Sequence, residues 1–178
     1  MSYHSLDNRK ITIRPDLEQT SYWFYEKPTL VYRGVHRGYS FPVYNSDDEE
    51  LRYTTRIPYR WNGTSNPIVK LYVWTASAED VGDTFKFQLD YQSENGSGVI
   101  SDSNSIIYFN GAILEGRIAQ YSKYTLTAEL NKDNISVDEI MAGRLRRIAS
   151  DGTQISGEVI ARYMVIEYPV DKCFGEWT

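Results

Sequence analysis

Short runs in which apolar and polar residues alternate recur along the chain. The clearest run is Ile68 to Trp74, in which every second residue is Val or Leu and the residues between are Lys, Tyr and Trp. Asp83 to Tyr91 repeats the pattern, with Phe, Phe, Leu and Tyr at every second position from Phe85. Because successive side chains point to opposite faces of a strand, each run predicts a strand with one buried and one wet face.

Other segments predict further strands between polar turns. They cover residues 29–33, 39–44, 51–57, 105–109, 125–130 and 158–168, with one more beginning near Ile140. Ser136 to Glu139 also has the form of a helix capping box, so a short helical turn before Ile140 stays open. At least eight short strands without a long helix predict an all-β fold: an antiparallel β-sandwich, jelly-roll-like.

The N-terminal part lacks this alternation. Residues 1–19 are polar and mixed and contain Pro15, which predicts an extended N-terminal arm. Tyr22, Trp23, Phe24 and Tyr25 then form an aromatic run that is either a strand or an arm contact laid across a neighbouring surface. We therefore expect an arm and aromatic anchor segment over residues 1–38 and the β-sandwich domain over 39–178.

Composition narrows the class of protein. The 178 residues suit one domain, the net charge is −5, and the arginines are scattered, which argues against a nucleic-acid partner. Cys173 is the only cysteine, so no internal disulfide can form. The first ten residues have no apolar core, and no run of about 18 apolar residues occurs, so we expect neither a signal peptide nor a membrane span.

The chain offers little catalytic chemistry. Its two histidines, His4 and His36, are far apart, which disfavours a histidine metal site or a catalytic triad. The acidic run Asp47 to Glu50 predicts a solvated turn rather than a metal site. No catalytic pair, metal or cofactor can be named, so we expect no enzyme, and a glycan-active enzyme ranks last among the hypotheses.

Aromatic and basic residues supply the candidate contacts. Tyrosine is abundant, with 15 copies in the chain, which favours contact surfaces. Four aromatics are predicted to form one outward cluster that either binds a glycan or is buried between subunits or under the N-terminal arm: Tyr59, Trp61, Tyr72 and Trp74. Arg144, Arg146 and Arg147 form a small basic spot that could pair with acidic residues of another copy or with carboxylates on a neighbouring strand, with Arg144 and Arg146 as the candidate interface charges.

Three stretches resemble a group of tailed-bacteriophage virion structural proteins with jelly-roll-like folds. They are LRYTTRIPYRWNGTSNPIVKLYVW at Leu51 to Trp74, the strand from Asp83 to Tyr91, and Met141 to Tyr168 with its Arg-Leu-x-Arg segment and final Glu-Tyr. Members of the group often carry His near positions 59, 72 and 167, where this chain has Tyr59, Tyr72 and Glu167. No ligand role of those histidines is carried over, and the first 40 residues show no resemblance.

The resemblance implies a non-enzymatic virion structural protein. It would be a capsid decoration or head or tail surface protein, assembled in the host cytoplasm as a homo-oligomer, with a homotrimer expected. Its partners would be itself and the major capsid or other virion proteins, with a host glycan as a further partner. The alternative is a carbohydrate- or receptor-binding β-sandwich that uses the exposed Tyr and Trp side chains.

Overall fold

The computed structural model describes residues 5–7, 10–19, 28–42, 49–94 and 104–170, with the backbone alone for 5–7 and 19. Nearly every regular element in these residues is a strand; one 3₁₀ turn covers Lys132–Asn134. No helix among them is long and apolar enough to span a membrane. The strands are β1 Ser5–Asp7, β2 Lys10–Ile13, β3 Glu18–Gln19, β4 Thr29–Arg33, β5 His36–Phe41, β6 Glu50–Arg56, β7 Ile68–Thr75, β8 Thr84–Ser93, β9 Ser105–Ala112, β10 Lys123–Glu129, β11 Ile140–Ile148 and β12 Val159–Pro169.

The strands form two antiparallel sheets that face each other. Sheet A has the order β4-β5-β12-β7-β10, with β2 and then β1 continuing along the second half of β12. Sheet B has the order β3-β6-β11-β8-β9. The four-strand sets β5-β12-β7-β10 and β6-β11-β8-β9 therefore oppose each other, which is the strand order of an eight-stranded jelly roll. The predicted all-β, jelly-roll-like sandwich is confirmed.

The alternating patterns place the strands well. β4 coincides with the predicted 29–33, and β7, β8, β11 and β12 lie within two residues of their predicted limits. β5 begins at His36, earlier than predicted. The only helical turn in the described residues is Lys132–Asn134, which lies before the capping-box segment rather than within it.

The extended N-terminal arm is not confirmed. β2 pairs with β12 from Ile13 opposite Ile166 to Lys10 opposite Pro169, and its Ile11 and Ile13 are buried in the core. β3 joins sheet B, and β4 joins sheet A. Much of the segment assigned to the arm thus belongs to the sandwich, because short strands there complete the edges of both sheets. The aromatic run from Tyr22 to Tyr25 lies outside the described residues.

The core lies between the sheets and is filled by the inward-pointing side chains of each central strand. The rings of Phe41 and Phe87 meet edge to face at 5.3 Å between the two sheets. Edge-to-face packing suits the charge distribution of aromatic rings and adds to the stabilisation by burial. Residues from strands of both sheets are fully buried around them, among them Leu51, Leu71, Leu89, Leu145 and Ile166.

Strand β12 contains a bulge that sets which side chains leave the core. The register with β7 shifts between Ala161 and Tyr163. Ala161 points into the core, yet Tyr163, two residues later, stacks on the outward Tyr72. Arg162 and Tyr163 therefore both lie on the outer face of sheet A, as expected where one extra residue enters a strand.

Candidate functional site

An open cleft of about 1160 Å³ lies between the edge of sheet A at β2 and the edge of sheet B at β6. Its walls come from the β2–β3 connection, from β6 and the loop after it, and from the turn before β11. The lining residues are Ile11, Ile13, Arg14, Pro15, Asp16, Glu18, Arg52, Tyr53, Thr54, Thr55, Arg56, Ile57, Pro58, Tyr59, Arg60 and Asp138. The cleft thus combines apolar and charged side chains.

The apolar part of the cleft is built on core residues. Ile11 and Ile13 of β2 are nearly buried, and Ile57 directly after β6 is fully buried. The amide of Ile57 donates to the carbonyl of Glu139 at 2.8 Å, which holds the chain after β6 against β11. Because these residues also pack in the core, the floor of the cleft is fixed by the fold.

Tyr59 is the exposed aromatic of the cleft. It is 65% exposed, although large apolar surfaces are usually covered. The Arg60 guanidinium lies 5.2 Å from the centre of its ring, within cation–π range. Tyr59 therefore offers an aromatic face beside the apolar floor, and its predicted place on the surface agrees with the structure.

An ion pair lines the cleft beside Tyr59. The Nε of Arg56 lies 3.0 Å from Oδ1 of Asp138 and also donates to the Asp138 carbonyl. Asp138 has a φ of 67°, in the left-handed region that Asp tolerates better than most residues. Both side chains are more than half exposed, so the pair contributes little to stability. The pair places a guanidinium and a carboxylate next to each other in the cleft.

Arg14 connects the cleft to the outer face of sheet A. It lines the cleft, and its guanidinium lies 4.3 Å from the centre of the Tyr163 ring. Tyr163 stacks on Tyr72 of the neighbouring strand at 4.4 Å, with 24° between the ring planes. On the other side of β7, Tyr72 pairs with Thr125 of β10.

The β4–β5 hairpin covers the next aromatic on that face. Trp74 is outward but only 5% exposed. The His36 ring meets it edge-on at 5.9 Å, and the Arg162 guanidinium lies 5.2 Å from its ring. Arg162 and His36 are themselves joined at 2.6 Å. The prediction that Trp74 lies exposed is wrong, because alternation identifies the face of a residue but not what folds over that face.

Trp61 is not a surface residue either. It is 4% exposed, packs edge-on against Tyr168 in the core at 6.0 Å, and donates from Nε1 to the carbonyl of Ser65. The exposed cluster predicted from four aromatics is therefore corrected: Tyr59 lies in the cleft, Tyr72 lies on the outer face of sheet A, and both tryptophans are covered.

The basic spot on β11 pairs with carboxylates of its own chain. Arg144 Nε donates to Asp90 Oδ2, and Arg146 Nη2 donates to the same oxygen at 3.2 Å. Arg144 also lies 3.6 Å from Glu50, which accepts from Arg52. Asp90 and Glu50 are nearly buried under these arginines. Of the two options for Arg144 and Arg146, the structure thus shows pairing with neighbouring strands; an interface role stays a prediction.

A buried polar cluster orders the loop before β12. The Glu79 carboxylate accepts from the amides of Ser156 and Gly157 and from the hydroxyls of Ser77 and Ser156. Arg147 Nη1 donates to the Phe41, Pro42 and Gly157 carbonyls. These contacts join the β7–β8 loop to the β11–β12 loop and join both β5 and that second loop to β11, so we assign the cluster to stability. No group of three or more metal-ligating side chains occurs in the described part of the chain.

Sequence reasoning misses Arg14, Tyr163 and Asp138. Arg14 falls in the predicted arm, since a four-residue strand before it gives too weak an alternation signal. Tyr163 lies two residues after the core residue Ala161, so regular alternation would place it in the core; only the bulge turns it outward. Asp138 belongs to the predicted helix cap. For Tyr163 the sequence does contain a signal: the alternation of apolar and polar residues along β12 is interrupted at Arg162 and Tyr163.

No protein-family model matches the chain, and no curated protein matches it. Solved structures do match. One is a carbohydrate-binding module, CBM28, specific for non-crystalline cellulose, with 14% identity over 83% of this chain and 85% of that chain and a TM-score of 0.44. Another is Xyl-CBM35 in complex with a disaccharide that contains glucuronic acid, with 10% identity over 87% and 97% and a TM-score of 0.38. Both TM-scores are below 0.5, so we take the function from this chain's own residues.

Proposed function

We propose that this protein is a non-catalytic carbohydrate-binding β-sandwich that holds its ligand in the cleft between β2 and β6. One observation carries the proposal: an exposed tyrosine, Tyr59, lies in a large cleft whose floor is apolar and whose walls carry charged side chains. Sugars have the complementary character, because their ring C–H faces are apolar and their edges are rows of hydroxyl groups.

The charged side chains of the cleft suit pairs of neighbouring sugar hydroxyl groups. A guanidinium presents several donors in one plane, and a carboxylate presents two acceptors. Arg56 and Asp138, held together at 3.0 Å, offer both kinds side by side. Neighbouring hydroxyl groups on one sugar ring can donate to the carboxylate and accept from the guanidinium at the same time.

The size of the cleft indicates a chain of sugars. Pockets for small molecules usually measure about 300–1000 Å³. The cleft exceeds this range at about 1160 Å³ and is open to solvent. We therefore expect an oligosaccharide to bind better than a single sugar.

Binding to a panel of soluble neutral and acidic oligosaccharides, measured by calorimetry, tests the function. Replacing Tyr59 by Ala should weaken binding about tenfold or more, which corresponds to about 1.4 kcal/mol. Tyr108→Ala is the matched control, because Tyr108, on β9, is also exposed and also has a cation near its ring, Lys86 at 4.9 Å. Equal affinities of the two variants, or no binding in the whole panel, would contradict the proposal.

The non-catalytic part has its own test. Bound oligosaccharides should be recovered intact after long incubation with the protein, as judged by mass spectrometry. Shortened products that disappear in an Asp138→Asn variant would show instead that a carboxylate in the cleft cleaves the ligand.

The virion role stays a prediction. Jelly rolls occur in viral capsid proteins and in lectins alike, so the fold does not choose between them. A virion surface protein that binds a host glycan would unite both hypotheses. Incorporation of the tagged protein into phage particles would support the virion role, and its exclusion from them would count against it.

A further inference from the structure

Strand β4 forms an open edge of sheet A. It pairs with β5 along its whole length, from Thr29 opposite Ser40 to Arg33 opposite His36, without a bulge. No described strand pairs with its other side. An uncovered edge strand presents a row of backbone donors and acceptors that can pair with another chain.

The other sheet edges in the described residues are shorter or covered. β1 has three residues, β3 has two, and β6 lacks a second neighbour only over the four residues beyond β3, Tyr53 to Arg56. β9 and β10 end their sheets beside each other and are in contact. β4 therefore combines length with an open side in a way that the other edges do not.

The apolar side chains of β4 are unusually exposed. Leu30 pairs with Tyr39, whose side chain packs against the core, so Leu30 and Tyr32 lie on the core-facing side of sheet A. They are nevertheless 36% and 63% exposed. The described residues thus leave this side of β4 largely uncovered.

The hairpin turn determines which backbone groups face outward. A two-residue turn joins Arg33 to His36, with Gly34 at a φ of 60°, as in a type II′ turn. Such a turn closes on a hydrogen-bonded pair, and hydrogen-bonded pairs alternate along antiparallel strands. Val31 is therefore bonded to β5, while the amides and carbonyls of Leu30 and Tyr32 point to the open edge.

We propose that β4 pairs antiparallel with β4 of a second copy, giving a two-fold dimer with sheet A continuous across both subunits. The two-fold axis passes beside Val31, so Val31 faces Val31 of the partner subunit. Leu30 then lies opposite Tyr32 of the partner subunit, and the four side chains cover one another. This is the self-complementary contact that a two-fold interface requires.

The same register avoids charge repulsion. Arg33, the charged residue of β4, comes to lie opposite Thr29 of the partner subunit rather than opposite its own equivalent. Four backbone hydrogen bonds form between the Leu30 and Tyr32 positions, which carry the free donors and acceptors. The resemblance to virion proteins implies a homotrimer, whereas an antiparallel pairing of identical strands is two-fold.

Disulfide trapping tests the register directly. In the Cys173→Ser background, which removes the only cysteine, Val31→Cys should give a covalent dimer under mild oxidation, because the two positions face each other in a non-hydrogen-bonded pair with Cα atoms about 4.5 Å apart. Thr29→Cys is the matched control on the same strand and face. Its equivalents lie about four residues apart in this register and should remain monomeric on a non-reducing gel.

Light scattering on a sizing column gives the second measurement. The wild-type protein should have twice the chain mass at high concentration, and Leu30→Pro should return it to the chain mass, because it removes a free-edge donor but no bond to β5. Tyr32→Lys should do the same through a charged edge, with circular dichroism verifying the fold of both variants. A monomeric or trimeric wild type, or equal trapping of Val31→Cys and Thr29→Cys, would overturn the pairing.

Discussion

Arg147 shows how the sandwich keeps a charge inside. It is nearly buried, and burial lowers its pKa to about 10, although the carboxylates of Glu79, Glu158 and Glu49 oppose that shift. The guanidinium stays charged at neutral pH and serves as a donor to loop carbonyls. Removing one member of a buried ionic cluster leaves the others uncompensated.

We expect Arg147→Ala to lower the free energy of unfolding by about 3 kcal/mol. The loss combines the three carbonyl contacts with the buried carboxylates left without their cation. Urea denaturation of the purified variant measures it. Arg56→Ala, which removes a largely exposed guanidinium, should change stability by less than about 1 kcal/mol and is the control. Equal losses of unfolding free energy in the two variants would contradict a stabilising role of the buried Arg147 cluster.

Glu167 predicts an acid-side loss of stability. Burial raises the pKa of Glu167, but hydrogen bonds from Lys70 and Lys10 outweigh it, so the pKa is lowered. A carboxyl group with a lowered folded-state pKa contributes stability above its unfolded pKa of about 4.3, and this contribution is lost as the pH falls through the folded pKa. Thermal unfolding from about pH 7 to about pH 3 should therefore show a steeper acid decline in the wild type than in Glu167→Gln. Parallel declines would contradict this role.

The residue scale also marks a limit of sequence reasoning. The acidic run ending in Glu49 and Glu50 predicts a solvated turn, yet both of these side chains are buried. Glu50 begins β6 and lies under Arg52 and Arg144, which arrive from its own strand and from β11. Local composition could not show that an arginine from the far end of the chain compensates the charge.

At the scale of the element, Gly143 lies where sheet B leaves no room for a side chain. A Cβ at this position would lie 2.3 Å from the carbonyl oxygen of Asp90 on β8 and 2.7 Å from the ring of Tyr53 on β6. The absence of a side chain thus lets β11 lie close to both neighbours. Backbone on one side cannot move away without breaking the ladder.

We expect Gly143→Ala to destabilise the fold by about 1–3 kcal/mol, as overpacking does in a well-packed core. Gly152→Ala is the control, because its Cβ would meet only side-chain atoms of Thr84, at 3.1 Å and beyond. A comparison of urea midpoints decides the matter. If Gly152→Ala loses as much stability as Gly143→Ala, the general effect of replacing Gly by Ala, and not crowding at Gly143, explains the loss.

Alternation predicts the strands because each central strand has one face in the core. It fails for β2, where four residues are too few to distinguish a strand from a polar arm. β2 is held by pairing with β12, at the opposite end of the chain. Such pairings are set by the topology of the whole sheet, which no local pattern contains.

For the candidate site, the sequence identifies Tyr59 but not the cleft. Alternation gives the outward direction of Tyr72 and Trp74 correctly. It could not show that the β4–β5 hairpin covers Trp74 or that Trp61, outside any regular strand, turns into the core. Surfaces are made by elements that meet in space, so their exposure follows from the tertiary structure.

For the whole molecule, ligand binding should raise the melting temperature. A ligand at about 100 times its Kd stabilises the folded state by about 2.7 kcal/mol. For a domain of this size that corresponds to roughly 5–10 °C. The shift with a binding oligosaccharide should shrink in Tyr59→Ala and persist in Tyr108→Ala, as measured by scanning calorimetry. A shift of the same size in both variants would place the ligand elsewhere.

The bulge at Arg162 determines which side chains of β12 face the core. Before it, Val159 and Ala161 face the core; after it, Met164, Ile166 and Tyr168 do. Because the bulge holds one extra residue, deleting Arg162 would bring Ala161 and Tyr163 into regular register with Val73 and Tyr72 and keep every later side chain on its present face. Deleting Val165 instead would turn Ile166 and Tyr168 outward and Glu167 inward. A deletion at the bulge should therefore leave a folded protein, whereas a single-residue deletion beyond it should abolish the fold.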